Sequence, residues 1–150
     1  MYDLIIFAIL LSLGYGFGRW AESKHYKSII EREEKLNALP AIASRFPPAE
    51  KKYDQELVRG SVVLSVDYYK RFLATLRNIF GGRVVSYESL IDRARREALL
   101  RMKEEAQKLD AKMVFNVKYE TASISKGVKN TIGSIEVLAY GTALIRNKTA

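Results

Sequence analysis

The segment IGSIEVLAYGTALI, residues 132–145, alternates with no polar face. Ile135, Val137, Ala139, Gly141, Ala143 and Ile145 fall on one side, and Leu138, Tyr140 and Leu144 on the other, with Glu136 and Thr142. A strand apolar on both faces needs cover on both, and this requirement limits what the chain can become. Two other segments read as strands. ELVRGSVVLSVDY, residues 56–68, places Val58, Gly60, Val62, Leu64 and Val66 on one face, with Arg59, Ser61, Ser65 and Asp67 mostly on the other. AKMVFNVKYETASI, residues 111–124, places Met113, Phe115, Val117 and Tyr119 together. SKGVKN, between the last two, reads as a flexible turn.

Two helices separate the first strand from the second. After Asp67, which can cap a helix, Phe72, Leu73, Leu76, Ile79 and Phe80 share one face at helical spacing. Gly81-Gly82 follow, where a helix normally stops at positive φ. Paired glycines can also cradle a phosphate, but neither GxxxxGK[ST] nor GxGxxG is present, so the pattern favours a stop. A long helix then opens at Ser86, a good N-cap, with Glu88 at the positive end of its dipole. Leu90, Ala94, Ala98, Met102 and Ala106 recur every fourth residue to Leu109, and Asp110 supplies the stop. This stripe is narrow and rich in alanine, so the helix can approach a sheet closely. Arg93, Arg96, Lys103, Glu104 and Lys108 lie off it. Strand, short helix, long helix, strand, strand is an α+β order. Three strands and one long helix make a thin core, and a leftover apolar face predicts a homo-oligomer.

Residues 55–150 form this domain, and three segments precede it. Leu4 to Gly18 carries no charge. Its 15 residues make about 22 Å of helix, against the roughly 30 Å of a bilayer core. If Tyr2 and Trp20 sit at the interfaces, the run predicts a single transmembrane anchor over residues 1–21. The start MYD and the end GFGRW do not suit a cleaved signal peptide. Arg19, Lys24 and Lys27 follow the span and Asp3 precedes it, which predicts an inner-membrane protein with the N-terminus outside and the C-terminal domain cytoplasmic. Gly14 and Gly18 form a small-xxx-small pair suited to packing of anchor helices. Residues 22–37, polar and helix-favouring, read as a juxtamembrane helix with His25 in solvent. Residues 38–54, with Pro40, Pro47 and Pro48, read as a stiff linker.

The segment RNIFGGRVVSYESLIDRARREALLRMKEEAQKLDAKMVFNVKYET, followed by VLAYGTAL, resembles the YbjQ-like family of small bacterial and archaeal proteins. The family pattern pairs with Gly60, Arg71-Phe72, Arg77 to Arg83, Ser86-Tyr87-Glu88, Asp110 to Phe115, Tyr119-Glu120-Thr121 and Gly141 to Ala143. LDAKMVF departs from it, since glycine usually precedes the aspartate. The resemblance covers Val58 to Ile145. It implies a dodecin-like α+β subunit assembling as a ring, a pentamer in the family, and it brings a heavy-metal-binding label of unestablished basis.

The residues argue for assembly over chemistry. The chain has no cysteine and one histidine, so soft-metal sites lack their usual donors, and no Ser-His-acid set can form in the domain. Carboxylates such as Asp67 and Glu88 could serve an enzyme at a subunit interface, but nothing in the sequence makes them converge. A net charge of +8 fits anionic neighbours. Here the lipid bilayer is the expected one, rather than nucleic acid read by Tyr68, Tyr69, Arg71, Arg77 and Arg83. The reading is a non-enzymatic, membrane-tethered homo-oligomeric scaffold without a cofactor, with a metal- or small-ligand-binding module as the alternative. Arg71, Arg77, Gly81, Gly82, Arg83, Tyr87, Glu88, Tyr119, Glu120 and Gly141 are assigned to assembly or structure, with Arg77 or Arg83 expected to hold a carboxylate.

Overall fold

A computed structural model describes residues 2–47, 53–65, 85–126 and 132–146. Helix α1 runs from Tyr2 to Lys35, strand β1 from Tyr53 to Ser65, and helix α2 from Val85 to Lys108. Strands β2 (Ala111–Lys126) and β3 (Ile132–Arg146) complete the fold. The sheet order is β1-β3-β2, antiparallel throughout. The two-sided strand is thus the central one, as its apolar alternation requires.

Helix α2 lies across one sheet face. Its stripe Leu90, Ala94, Ala98, Met102 and Ala106 is buried against Val58, Val62, Val114, Val117, Ile135, Val137, Ala139 and Ala143. The small stripe brings the helix very close to β1. A Cβ built on Gly60 would lie 2.7 Å from Arg101 Cβ, and nearer still to the Ala98 carbonyl oxygen and the Met102 amide nitrogen. Gly60 is therefore a contact residue, needed for the close approach of helix backbone to strand.

Strand β2 departs from plain alternation. Val114 pairs with Ala143 and Tyr119 with Ala139, both on the helix side, but the register slips between Phe115 and Lys118. Asn116 sits there at φ 55°. This bulge turns Phe115 to the opposite face from Val117, so the expected set Met113, Phe115, Val117 and Tyr119 does not share one side. Gly141 lies opposite the bulge, where an added Cβ would meet Val114 Cγ1 at 2.8 Å and Phe115 O at 3.1 Å. Asp110 at φ 54° makes the predicted left-handed stop of α2.

Residues 40–44 run alongside β2. The Ile42 amide donates to Val114 O (2.9 Å), Val114 N to Pro40 O (2.9 Å), Asn116 N to Ser44 O (2.9 Å) and Val117 N to Ile42 O (3.1 Å). Part of the region read as a linker is thus bonded to the sheet edge. Pro40 fits there because only its carbonyl is used.

The membrane span is overturned. Among the described residues no helix is long and apolar enough to cross a membrane. The physical reason is length: the uncharged run is about 22 Å at roughly 1.5 Å per residue, and α1 then continues without a break into the polar stretch ending at Lys35. The inner-membrane, single-pass placement falls with it. The first half of α1 does stand clear of the domain, with Ile5, Ile9, Leu13, Phe17 and Trp20 exposed. The Lys24 ammonium lies over the Trp20 ring, 5.3 Å from its centroid.

Candidate functional site

Most of the charge chemistry of the described residues gathers where the second half of α1 packs on the side of α2 that faces away from the sheet. Ile29 on α1 and Leu36, just past its end, bury against Leu100. Around this small apolar centre, Arg96 donates from Nε and Nη2 to the Glu33 carboxylate at 2.8 and 2.6 Å. Arg32 bonds both oxygens of Glu97 and reaches Glu104 at 3.4 Å. Arg101 Nε donates to Glu97 Oε1 at 2.9 Å. Further along, Glu22 lies 3.6 Å from Arg93, whose guanidinium stacks over the Tyr26 ring at 5.9 Å.

Glu97 is 3% exposed and is the buried charged residue among those described. Burial alone would raise its pKa, but hydrogen bonds from Arg32 and Arg101 outweigh that and hold it below the ordinary glutamate value. Glu33 is likewise lowered, chiefly by its hydrogen bonds from Arg96. Lys103 is lowered by burial, against the pull of Glu33. His25 lies in the same seam, half-buried, with its Nδ1 shielded and unpartnered, rather than in solvent as expected.

The assigned residues are scattered. Arg71, Arg77, Gly81, Gly82 and Arg83, with the whole segment read as the short helix, lie outside the described residues. So does Asp67, a member of the suggested carboxylate pair. Tyr87 and Glu88 fall in the first turns of α2, which has begun by Val85. Tyr119 sits on the helix side of β2, and burial raises its pKa, with Arg95 opposing. Glu120 pairs with Leu138 on the other face. Gly14, intended for helix packing, has nothing within 4 Å. The seam was missed, although Glu22, Ile29, Glu33 and Leu36 recur at helical spacing and Arg93, Arg96, Glu97 and Leu100 answer them on α2.

A family model described as "Putative heavy-metal-binding" matches residues 42–147. The chain belongs to the YbjQ family. UPF0145 proteins of Hahella chejuensis and Pyrococcus furiosus are each 40% identical to it over 89 residues, 59% of this chain and 80% and 73% of theirs. One from Thermus thermophilus is 41% identical over 88 residues, 59% of this chain and 72% of its own. A crystal structure of a protein of unknown function from the DUF74 family, from Pediococcus pentosaceus, is similar at a TM-score of 0.49 and 14% identity, over 73% of this chain and 98% of that one. The α1 seam contributes its α1 half from outside the matched span.

This YbjQ chain lacks the soft donors that a heavy-metal site usually uses. There is no cysteine, and His25 precedes the matched residues and faces arginines. Among the described residues no three His, Cys, Asp or Glu side chains come together as a metal site would need.

Proposed function

We propose that the YbjQ domain works by self-association, as a homo-oligomeric scaffold without catalytic activity of its own. The observation that carries this reading is the sheet face turned away from α2. There Leu57 is 67% and Val63 53% exposed, beside half-exposed Leu138 and Tyr140 on β3. Exposed apolar side chains grouped on one face mark a contact surface, and a second copy offers a complementary one. The β1 edge is the weaker candidate, since Glu105 accepts from Arg59 N at 2.6 Å and Arg101 donates to Ser61 O at 2.7 Å. The resemblance adds a ring of five as the expected number of copies.

Native mass spectrometry and sedimentation of the purified chain test the proposal. Leu57→Asp and Val63→Asp, placed on exposed positions, should shift the oligomer to monomer while the circular dichroism spectrum stays unchanged. A wild-type chain that sediments as a monomer at tens of micromolar overturns the reading.

A further inference from the structure

Helix α1 is held on α2 by a small apolar centre and a row of ion pairs. The buried apolar contribution is Ile29, Leu36 and Leu100, whereas Glu22–Arg93, Glu33–Arg96, Arg32–Glu97 and Arg32–Glu104 all cross the seam. His25 stands among these pairs, one turn before Ile29. Its Nδ1 is shut off from solvent without a hydrogen-bond partner, and the Nε of Arg93 is in the same condition. Arg93, Glu97 and Arg101 from α2 and Arg32 from α1 act most on the imidazole, and Glu22, one turn before it on α1, pairs with the same Arg93.

We propose that α1 is a pH-sensitive clamp, docked most firmly on α2 while His25 is neutral and loosened when His25 takes up a proton. A further positive charge placed among Arg93, Arg32 and Arg101, in a half-buried site, is disfavoured by desolvation and repulsion, so the proton prefers the undocked arm. Burial first and Arg93 second lower the pKa of docked His25 below 6.5, with Glu97 in partial opposition. The sign follows from linkage. Docking is at full strength above about pH 6.5, and it weakens as pH falls below that value, where the free arm binds the proton and the docked one resists. The clamp carboxylates Glu33 and Glu97 have pKa values lowered from 4.5, so their ion pairs persist through this window. Residues 2–35 precede the matched span 42–147, so the clamp is a property of this chain and is not carried by the family domain alone.

Hydrogen exchange of the amides of residues 22–35 at pH 7.5 and 5.5, corrected for intrinsic rates, reads the opening equilibrium directly. It should rise on acidification by up to roughly tenfold, the limit set by one group titrating from 6.5. The amides of β3 should not follow. His25→Gln should remove the rise. Because the chain has a single histidine, the imidazole proton resonances of the native wild type give its pKa without assignment work, and that pKa should lie below 6.5. An opening that is independent of pH, an equal rise in His25→Gln, or an imidazole titrating at or above 6.5 each overturns the clamp. Should His25→Gln fail to fold, the wild-type titration and exchange decide alone.

Discussion

Gly60→Ala is the most demanding test of how α2 meets the sheet. The added methyl would sit 2.7 Å from Arg101 Cβ, where carbon atoms normally rest about 3.5–4.0 Å apart. Two further clashes involve helix backbone, which has no rotamer to escape into, so α2 must shift by about 1 Å along much of the stripe from Leu90 to Ala106. Overpacking of a well-filled core costs about 1–3 kcal/mol, and clashes with backbone put this site near the top of that range. Alanine recovers about 0.4–1 kcal/mol by restricting the unfolded chain, which leaves a net loss of about 2 kcal/mol. For a domain of this size that lowers Tm by roughly 8–16 °C. Calorimetry of both proteins at one concentration measures it, since any association would make Tm concentration-dependent. Ala98→Gly should not rescue the variant, because the obstruction is the Ala98 carbonyl oxygen rather than its side chain. A Gly60→Ala protein within about 0.5 kcal/mol of wild type would refute the close-contact argument.

Two further predictions concern charge and backbone. Glu97→Gln removes the anion shared by Arg32 and Arg101 and should cost about 2–3 kcal/mol in urea unfolding, in line with charge-assisted hydrogen bonds. Because Glu97 is held below its ordinary pKa, its contribution is present above about pH 4.5 and lost as pH falls through the lowered value, so the variant should also show a flatter acid limb than wild type. Asn116→Val, placed at φ 55°, should destabilise by about 1–2 kcal/mol, whereas Asn116→Gly should be near neutral; thermal melts of the pair separate backbone strain from loss of the amide side chain.

The strongest periodicities were legible in the sequence. The two-sided pattern of residues 132–145 marks the central strand, the alanine stripe marks the helix face nearest the sheet, and Asp110 marks the helix end. Each of these depends on side chains a few residues apart. The bulge at Asn116 was not legible, because one extra residue in β2 is set by its pairing with β3 and leaves no mark on local alternation. The seam between α1 and α2 was hidden for a related reason. Its charges read as an ordinary solvated face until two helices more than sixty residues apart are brought together. The apolar start of α1 was read by composition, but its length falls short of a bilayer.

The position of Trp20 bears on how unfolding of this molecule is to be observed. It is the single tryptophan, it is 62% exposed, and a lysine ammonium covers part of its ring on the free half of α1. Its emission already originates in water while the protein is native, and the side chains that adjoin it, Phe17 and Lys24 among them, belong to α1. Tryptophan emission, excited selectively over the nine tyrosines, therefore reports events along α1 and is nearly blind to melting of the sheet. A denaturation curve recorded at tryptophan wavelengths and one recorded by far-ultraviolet dichroism describe two different processes in the same cuvette, and their midpoints need not coincide.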